Sequence, residues 1–512
     1  MAKDASKMEK IVSLCKRRGF IFQSSEIYGG IGGFWDYGPL GVELKRNIKD
    51  AWWRDMVTCP PTGPDGKDLQ MVGLDASLIM NPKVWEASGH VGGFQDPMVS
   101  CRAEGCKGLF RADQIFHVLL RRGEGDDPFG HCSVEANSVG DVADAVKPKA
   151  DKLSKKHGGG DYVFEAVDFV SAAGENLSTL KCPRCDEVGS LTEPRQFNLM
   201  FQTYVGATAT EDDIAYLRPE TAQGIFANFK NVVDSSRVKV PFGIAQVGKA
   251  FRNEINPRNY TFRSREFEQM EIEFFCHDDE AMKWWEWWRD TRINWYVGLG
   301  LKGENLRPRN QEGDELAHYS KACTDIEYCF PFADEPQELE GVAHRGCYDL
   351  TQHQKHSGKD LSYFDDERKE RFLPTVIEPS AGADRSTLAF ICEAYTVDES
   401  RPSPELMKFH PRLAPVKAAV FPLVKKDGMP EIAEPIYREL KKQWPVAFDV
   451  KQSIGKRYAR MDEAGTPYCF TVDGQTKEDG TVTVRDRDTG SQERIDKSRV
   501  VEFLSDKLSF AM

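Results

Sequence analysis

The sequence predicts a protein of several domains in the mixed α/β and α+β classes. Its 512 residues, 40 % of them hydrophobic, are enough for roughly three domains with well-packed cores. Residues 251–275 alternate apolar and charged side chains around a turn, which predicts a strand, a loop and a returning strand of a sheet. Residues 418–508 alternate short strands and helices instead, which predicts a separate α/β domain.

Local signals predict the elements of the first half in order. Residues 8–20 indicate a short amphipathic helix, and residues 24–38, dense in glycine and aromatic side chains, indicate a loop close to other backbone. A helix is expected at 41–57, followed by a strand at 71–82 that Pro82 ends.

A third helix is expected at 277–300, with Asp278 or Asp279 at its N-terminal cap. Its tryptophans occupy more than one face, and core packing is favoured over a stacking platform for nucleic-acid bases. They are Trp284, Trp285, Trp287 and Trp288. In the C-terminal part, strands are expected at 418–424, 446–450, 467–473 and 481–488, and helices at 430–443 and 455–465.

Composition narrows the class of protein. The net charge of −13 argues against a protein that coats RNA, although local lysines and arginines can still bind phosphates. Thirteen cysteines, an odd number, with a charged N-terminus that lacks an apolar signal segment, indicate reduced thiols and a cytoplasmic location. No stretch of about 18 apolar residues predicts a membrane helix.

The 251–275 hairpin concentrates charge. Guanidinium groups match phosphate or carboxylate oxygens two at a time, and neighbouring carboxylates orient them, bind an amino group or hold Mg²⁺. The alternative is an exposed amphipathic hairpin with surface ion pairs. The arginines are Arg252, Arg258, Arg263 and Arg265, and the glutamates are Glu254, Glu266, Glu268, Glu271 and Glu273.

The order of these residues resembles motif 2 of class II aminoacyl-tRNA synthetases, in which Arg-x-Glu ends one strand and another arginine follows the loop. Residues 378–391 resemble motif 3, whose arginine here is Arg385, and the predicted helix and strand at 41–57 and 71–82 resemble motif 1. Further segments, at 25–45, 81–101, 217–230 and 453–476, are similar to glycyl-tRNA synthetases of the single-polypeptide, homodimeric, class IIa kind. The resemblance extends from about residue 8 to about residue 505 and is weakest between 113 and 190.

The resemblance implies an antiparallel-sheet catalytic domain of class II at 1–112 and 191–400, with an inserted lobe at 113–190. It also implies a linker at 401–416 and an anticodon-binding domain at 417–512. The lobe is either a surface excursion or a contact to the tRNA acceptor arm. In the second case the candidates for phosphate contact are Lys147, Lys149, Lys152, Lys155 and Lys156.

The resemblance also assigns roles around ATP. Arg252 is expected at the α-phosphate, Glu254 near the adenine amino group and Arg385 at the γ-phosphate, and these three residues are the expected catalytic set. Phe267 matches the aromatic residue that stacks on adenine, and Glu338 is a candidate ligand of Mg²⁺. The full expected ATP site is Arg252, Asn253, Glu254, Phe262, Arg263, Ser264, Arg265, Glu266, Phe267, Glu338, Leu339, Gly382, Ala383, Asp384 and Arg385.

The expected glycine site is an acidic pocket that holds the ammonium group and excludes larger side chains. It comprises Arg111, Glu220, Phe267, Glu268, Gln269, Met270, Glu271, Glu378, Pro379, Ser380, Ala381 and Gly382. For Glu266 and Glu273, a role in ion pairs is favoured over contact with the substrate.

Four cysteines have the spacing of a structural zinc site. Cys182 and Cys185 form a typical knuckle, and Cys101 and Cys106 form a wider pair. The alternatives are unligated thiols, or replacement of one ligand by a residue of the 131–132 pair, His131 or Cys132.

The activity implied is attachment of glycine to tRNA(Gly) through a glycyl-adenylate, with ATP and Mg²⁺ and in a homodimer. Three alternatives stay open. A non-catalytic paralogue is expected to lose Arg252 or Arg385, yet both are present. A zinc-ribbon protein that binds nucleic acid explains the cysteines but not the three ordered motifs. A different class II ligase does not explain the glycine-specific segments.

Overall fold

The computed structural model describes residues 5–136, 139–313, 316 and 320–509. They divide into two compact units, one formed by 1–88 with 201–512 and the other by 89–200. The ends of the two outer predicted domains, residues 1–4 and 510–512, lie outside the described residues.

The first unit is organised around a seven-stranded sheet. The strand order is β4-β5-β6-β7-β3-β2-β1, and all neighbours are antiparallel except β1 and β2. The strands are β1 (Gln70–Gly73), β2 (Phe242–Phe251), β3 (Glu266–Cys276), β4 (Leu306–Asn310), β5 (Ala322–Tyr328), β6 (Gln337–Gly346) and β7 (Thr375–Gly382). The hairpin predicted at 251–275 is the β2–β3 pair, although its first strand begins nine residues earlier.

Successive side chains of β3 point to opposite faces of the sheet, as a pleated strand requires. Met270, Ile272 and Phe274 join the large hydrophobic core on one face. On the other face, Gln269 and Glu271 line a cavity. This alternation separates a packed side of the sheet from a side that is open to ligands.

Helices cover the packed face and one end of the other face. The helices around this sheet are α1 (Ala5–Arg18), α2 (Pro39–Trp53), α3 (Ala222–Ser236), α4 (Ala281–Gly298), α5 (Tyr348–Ser357) and α6 (Ala383–Ala394), with a short one at Lys83–Ala87. Residues of α1, α2, α4 and α6 share the core with β3 and β7. Phe226 and Phe229 of α3 pack with Phe275 at the far end of the open face.

The tryptophans of α4 belong to this core, as the sequence predicted. Trp284, Trp285 and Trp288 are all buried, and Trp288 is fully inaccessible. They therefore offer no platform on which nucleic-acid bases stack.

The strand predicted at 71–82 is wrong beyond Gly73. At Ala76 the backbone of the following segment bonds to side chains. The amide of Ala76 donates to Gln246 Oε1 at 2.7 Å, and its carbonyl accepts from Arg218 at 2.8 Å. The segment thereby holds the guanidinium of Arg218 in place.

The C-terminal part of the first unit forms a five-stranded sheet. Its first three strands in spatial order are parallel and the other two antiparallel. In that order the strands are Val446–Phe448, Ala418–Pro422, Tyr468–Val472, Thr481–Asp486 and Gln492–Asp496, and the helices are Met429–Leu440, Ile454–Ala464, Gly474–Asp479 and Val500–Ser509.

Contacts in its first half hold the segment predicted as a linker. Strand Glu405–Met407 pairs with Tyr395–Val397, and Arg401 bonds to Asp462 and to the carbonyl of Arg487. Its proline-rich, polar composition therefore reflects irregular backbone held by side chains rather than a free tether. The remaining hairpins are Ile21–Gln23 with Trp35–Tyr37, Gln202–Tyr204 with Ile214–Tyr216, and Tyr363–Asp365 with Glu370–Phe372.

The second unit, residues 89–200, starts before and ends after the lobe expected at 113–190. It contains two three-stranded antiparallel sheets and a helix over the lysine-rich segment of the expected lobe. Its strands are Gln95–Ser100, Leu109–Arg111 and Arg195–Asn198, then Ile115–Arg121, Gly130–Glu135 and Val163–Asp168; its helices are His90–Gly93, Val142–Lys156 and Phe169–Asn176.

One of the five candidate lysines serves the fold of this unit. Lys149 donates to the carbonyls of Ser133 and Pro183 and pairs with Asp186 at 2.6 Å. The other four lysines lie exposed on the same helix or its end. Across the whole described chain, no helix combines the length and apolar character needed to cross a membrane.

A buried ion pair joins α4 to the central sheet. Arg292 donates to both oxygens of Glu340 in β6, at 2.7 and 3.1 Å, and neither side chain is more than 1 % exposed. Glu340 follows two residues that line the cavity, Glu338 and Leu339. The pair therefore fixes the register of the cavity wall against the helix behind it.

We expect Arg292→Met to destabilise the first unit by about 3–5 kcal/mol, because Glu340 is left charged, buried and unpaired. The double variant Arg292→Met/Glu340→Leu should recover most of this loss, since no charge then remains to be solvated. Urea unfolding followed by the fluorescence of the nearby tryptophans measures both. A single variant as stable as the wild type would contradict this account of the pair.

Candidate active site

A cavity of about 460 Å³ opens on the ligand-accessible face of the central sheet. Strands β3, β6 and β7 form its floor, and the β2–β3 loop and the start of α6 form its sides. Its lining is mainly polar. The predicted residues that line it are Glu220, Arg252, Glu254, Phe262, Arg263, Ser264, Phe267, Gln269, Glu271, Glu338, Leu339, Glu378, Ser380, Gly382, Asp384 and Arg385.

The two arginines expected to hold a triphosphate line the same cavity. Arg252 ends β2 and donates to the carbonyl of Pro219 at 3.0 Å, with its guanidinium 5.5 Å from the centre of the Phe267 ring. Arg385 lies in the first turn of α6 and pairs with Glu338 at 3.2 Å. Their positive charge lowers the pKa of the exposed Glu338 carboxyl, with Arg385 contributing most.

The β2–β3 loop adds an aromatic and an acidic wall. Arg385 lies over the ring of Phe262, 4.6 Å from its centre. Arg263 donates to the carboxylate of Glu254 at 2.8 Å, and Glu254 is almost fully buried. These contacts fix the loop in a shape that leaves a slot between it and the sheet.

The other end of the cavity is acidic, and Glu271 is its centre. The carboxylate of Glu271 accepts a hydrogen bond from the Ser380 hydroxyl at 2.8 Å and another from Thr221. Burial, together with the nearby charges of Glu378 and Glu220, raises the pKa of Glu271 to about 8. This acid therefore holds its proton near neutral pH.

Arg345 provides the positive charge at this acidic end. It donates to Glu378 at 2.6 Å and to both oxygens of Asp349 in α5, at 2.9 and 3.0 Å. Burial raises the pKa of Glu378, whereas the Arg345 guanidinium lowers it. One guanidinium thus stands among several carboxylates.

Glu220 is placed by a buried arginine. Arg218, two residues before it, crosses the sheet and donates to the carbonyls of Ala76 and Lys249. The carboxylate of Glu220 also accepts from Gln223 in α3 at 2.9 Å. The loop before α3 is thereby held rigidly over the acidic end of the cavity.

Several residues expected at the site do not line the cavity. Most of them are explained by the alternation of side chains between the two faces of a strand. Glu268, Met270, Pro379 and Ala381 fall on the opposite face of β3 and β7 from Glu271 and Ser380. The expectation that Glu268 belongs to the acidic pocket is therefore wrong, because it pairs with Lys45 and Lys49 at 3.0 and 2.7 Å.

Other expected ATP contacts serve the frame of the site. Arg265 donates to the carbonyls of Glu254 and Gly32, and so braces the hairpin against the glycine-rich loop. Glu266 pairs with Lys249, as the preference for an ion pair predicted. Asn253, Ala383 and the exposed Arg258 also lie outside the cavity lining.

For Glu273 the expectation of an ion pair is wrong. This side chain is completely buried, and no donor among the described residues bonds to either of its oxygens. Arg111 belongs to the second unit, where it pairs with Asp96 and Asp113 at 3.2 and 2.6 Å.

The structure adds cavity residues that the sequence reasoning missed as site residues. Arg345 is the most important, and a signal for it existed: on the cavity face of β6 it continues the alternation of Gly341 and Ala343. Asp349, its carboxylate partner, follows four residues later at the start of α5. The contribution of Thr221 carried no such signal, because it lies in a loop.

The four predicted cysteines meet at one point of the second unit. Cys101 and Cys185 are 3.7 Å apart, Cys106 and Cys182 are 3.8 Å apart, and all four sulfurs lie within 4.8 Å of one another. Four thiolates about 2.3 Å from a tetrahedral zinc ion are separated by roughly 3.8 Å, so the set fits this metal. Neither His131 nor Cys132 is part of the cluster.

Class II aminoacyl-tRNA synthetases build their active site on such an antiparallel sheet. In them, one arginine ends a hairpin strand of the sheet and a second opens the helix after its last strand. Arg252 and Arg385 occupy these two places in this chain. The chain is therefore a synthetase of this class.

Comparisons with known proteins identify the family. Residues 417–507 match the family model of the anticodon binding domain. The glycine–tRNA ligases of Rhodopirellula baltica, Lysinibacillus sphaericus and Geobacillus thermodenitrificans are 51 %, 48 % and 48 % identical to this chain. The matches span 98–99 % of this chain and 98–99 % of each relative. The chain belongs to the glycine–tRNA ligase family.

The raised pKa of Glu271 predicts a dependence of stability on pH. The folded protein keeps this proton up to about pH 8, whereas the unfolded chain loses it near the ordinary value of about 4.5. The stabilisation is therefore complete below pH 4.5 and is lost as the pH rises through 8. As the pH rises from 5 to 8, the free energy of unfolding of the wild type should fall by up to roughly 4 kcal/mol more than that of Glu271→Gln.

Denaturant unfolding at several pH values between 5 and 8 measures this difference. The exposed Glu304, changed to Gln, is the matched control and should leave the pH profile of the wild type unchanged. Parallel profiles for the wild type and Glu271→Gln would show that the buried acid titrates normally.

Proposed function

We propose that this chain attaches glycine to tRNA(Gly) in two steps, with ATP and Mg²⁺. The glycine carboxylate attacks the α-phosphate of ATP and releases pyrophosphate. The terminal hydroxyl of the tRNA then attacks the carbonyl of the adenylate and releases AMP. The observation that carries the proposal is a single cavity with two guanidinium groups at one end and a carboxylate cluster at the other.

The arginines supply the electrostatic part of the first step. Arg252 sits where the α-phosphate gains negative charge in the transition state, and Arg385 holds the γ-phosphate. Both side chains are already fixed by carbonyl contacts, so little reorganisation is needed during the reaction. Glu338 is the carboxylate placed to ligate Mg²⁺, which neutralises phosphate charge.

The slot at the β2–β3 loop suits the adenine ring. Phe267 and the pair of Arg263 with Glu254 face it, so stacking and a hydrogen bond from the adenine amino group are both available. On this basis we propose that Phe267 stacks on the adenine ring and that Glu254 accepts a hydrogen bond from its amino group.

The acidic end of the cavity suits the smallest amino acid. Glu220, Glu271 and Glu378 surround the place of the ammonium group, and Arg345 is the guanidinium available to the carboxylate. Because Glu271 is hydrogen-bonded by Ser380 and Thr221, it stays in place when the ammonium displaces its proton. A larger side chain meets these fixed groups and is excluded by size.

The wider organisation is part of the proposal. Residues 1–112 and 191–400 form the catalytic domain, 113–190 the inserted lobe, 401–416 the connection, and 417–512 the anticodon-binding domain. The enzyme is of class IIa and works in the cytoplasm as a homodimer of single polypeptides. The exposed lysines of helix Val142–Lys156 contact tRNA phosphates.

We further propose that Cys101, Cys106, Cys182 and Cys185 hold one structural zinc ion. The backbone amides of Ala103 and Arg184 each lie 3.4 Å from a cysteine sulfur, as donors to thiolates in such knuckles do. Four cysteine ligands leave no open position for water, so zinc would stabilise the second unit and take no part in the chemistry.

The central test is ATP–pyrophosphate exchange with each amino acid in turn, which needs no tRNA. Exchange is expected with glycine alone. Arg252→Ala and Arg385→Ala should each lower the rate roughly 100-fold or more, because charge on the phosphates loses its fixed partner. Absence of exchange with glycine would refute the proposed activity.

The exposed Arg258, in the same loop but outside the cavity, provides the matched control. Arg258→Ala should leave exchange within about twofold of the wild type, since an exposed charge contributes little. An equal loss in Arg252→Ala and Arg258→Ala would assign the effect to the loop rather than to the cavity.

The zinc site is tested by metal analysis of the purified protein. We expect one zinc ion per chain, a loss of zinc in Cys182→Ser, and a lower melting temperature of the second unit in the same variant. Cys59→Ser is the control, since Cys59 is exposed and free in the other unit. Full zinc content in Cys182→Ser, or no zinc in the wild type, would contradict the site.

A further inference from the structure

One buried acid beneath the cavity has no part in the mechanism above. Glu273 lies in β3, two residues beyond Glu271 on the same face of the strand. It is completely inaccessible, whereas Glu271 lines the cavity. A fully buried carboxyl is costly in the charged state, so its presence in the second layer of the site calls for a function.

The surroundings of Glu273 come from four elements. On its own strand the nearest charged group is Glu271; β7 contributes Glu378, β6 contributes Arg345, and α5 contributes Asp349. One oxygen each of Glu271, Glu273 and Glu378 lies within 4.8 Å of the others. The guanidinium of Arg345 bonds to Glu378 and Asp349, but no described donor bonds to Glu273.

Three carboxyl groups this close, away from water, cannot all be ionised, because like charges repel strongly in a medium of low polarity. Glu378 has a guanidinium partner, and Glu271 has two hydroxyl donors. Glu273 has neither, so it is the acid that keeps its proton most firmly. Burial and the charge of Glu378 accordingly hold the pKa of Glu273 well above its usual value.

A protonated Glu273 is a hydrogen-bond donor, and Glu378 is the acceptor within its reach. We propose that Glu273 is a positioning residue that stays protonated and donates to Glu378, so that Glu378 remains ionised and correctly aimed at the ammonium group of the amino acid. This inference rests on the proposed function for the identity of the ammonium group. The protonation state itself depends only on the described side chains.

The role as a neutral donor separates two substitutions of similar size. Glu273→Gln keeps a donor and adds no charge, so the KM for glycine in the exchange reaction should stay within about twofold of the wild type. Glu273→Leu removes the donor, so the KM for glycine should rise about tenfold or more while the KM for ATP stays within about twofold. Glu378→Gln, which removes the charge itself, should raise the KM for glycine at least as much.

The opposite pattern would overturn the proposal. If Glu273 were ionised and bound the ammonium directly, Glu273→Gln would damage glycine use as severely as Glu378→Gln. A wild-type KM for glycine in Glu273→Leu would overturn it as well, because the donor would then have no effect. Thermal unfolding of each variant shows whether its fold is retained, and Glu273→Gln alone is decisive if the leucine variant does not fold.

A second measurement does not require activity and therefore separates this inference from the proposed function. The infrared difference spectrum between the wild type and Glu273→Gln at neutral pH should contain the carbonyl band of a protonated carboxyl group. A carboxylate band in its place would refute the protonated state, whatever the exchange assay gives. A protein with the protonated band but without glycine exchange would refute the proposed activity and leave the state of Glu273 established.

Discussion

The two-residue repeat of the central sheet is the constraint on which the rest of the first unit depends. It sends Met270, Ile272 and Phe274 into the helix-covered core, and it sends Gln269 and Glu271 to the cavity. A shift of the register by one residue would exchange the two sets and point the apolar core residues into the cavity. The core that stabilises the sheet and the polar floor of the cavity are therefore two aspects of one pattern.

Charge that would be costly elsewhere is accommodated in this unit by pairing. Arg292 and Glu340 neutralise each other behind the sheet, and Arg345 is shared between Glu378 and Asp349 in front of it. Each of these ion pairs includes one residue of β6, Glu340 or Arg345, so this strand connects the packed side of the sheet with the open side. The acids that lack a cationic partner, Glu271 and Glu273, are held neutral by their surroundings instead.

The sequence was sufficient for the class of fold and for much of the cavity. The hairpin pattern and the motif order located Arg252, Glu254 and Arg385 in one place. The alternating C-terminal elements predicted an α/β domain, and the family resemblance identified it as the anticodon-binding domain. The wrong site residues were predicted because neighbouring residues of one sequence motif were all expected to contact the same ligand. Glu268 is in the middle of the motif, yet the pleat of the strand turns it towards Lys45 and Lys49.

What the sequence could not provide was contact between distant segments. The burial and the charged neighbours of Glu273 come from β6, β7 and α5, which lie between 64 and 109 positions further along the chain. Side chains far along the chain also shape two other segments. Gln246 bonds to the backbone just after β1, and Asp462 bonds to Arg401 in the connection at 401–416. Local pattern predicts which face a residue occupies, but not which groups stand opposite.

The buried course of Arg218 across the sheet leaves no room for a side chain at Gly248. A methyl group there would come within 2.2 Å of Nη2 of the guanidinium, whose other two nitrogens donate to the carbonyls of Ala76 and Lys249. Any such intrusion would lift the arginine and, with it, the loop that presents Glu220. Gly248, on a strand and outside the cavity, thus fixes the position of Glu220 in the cavity wall.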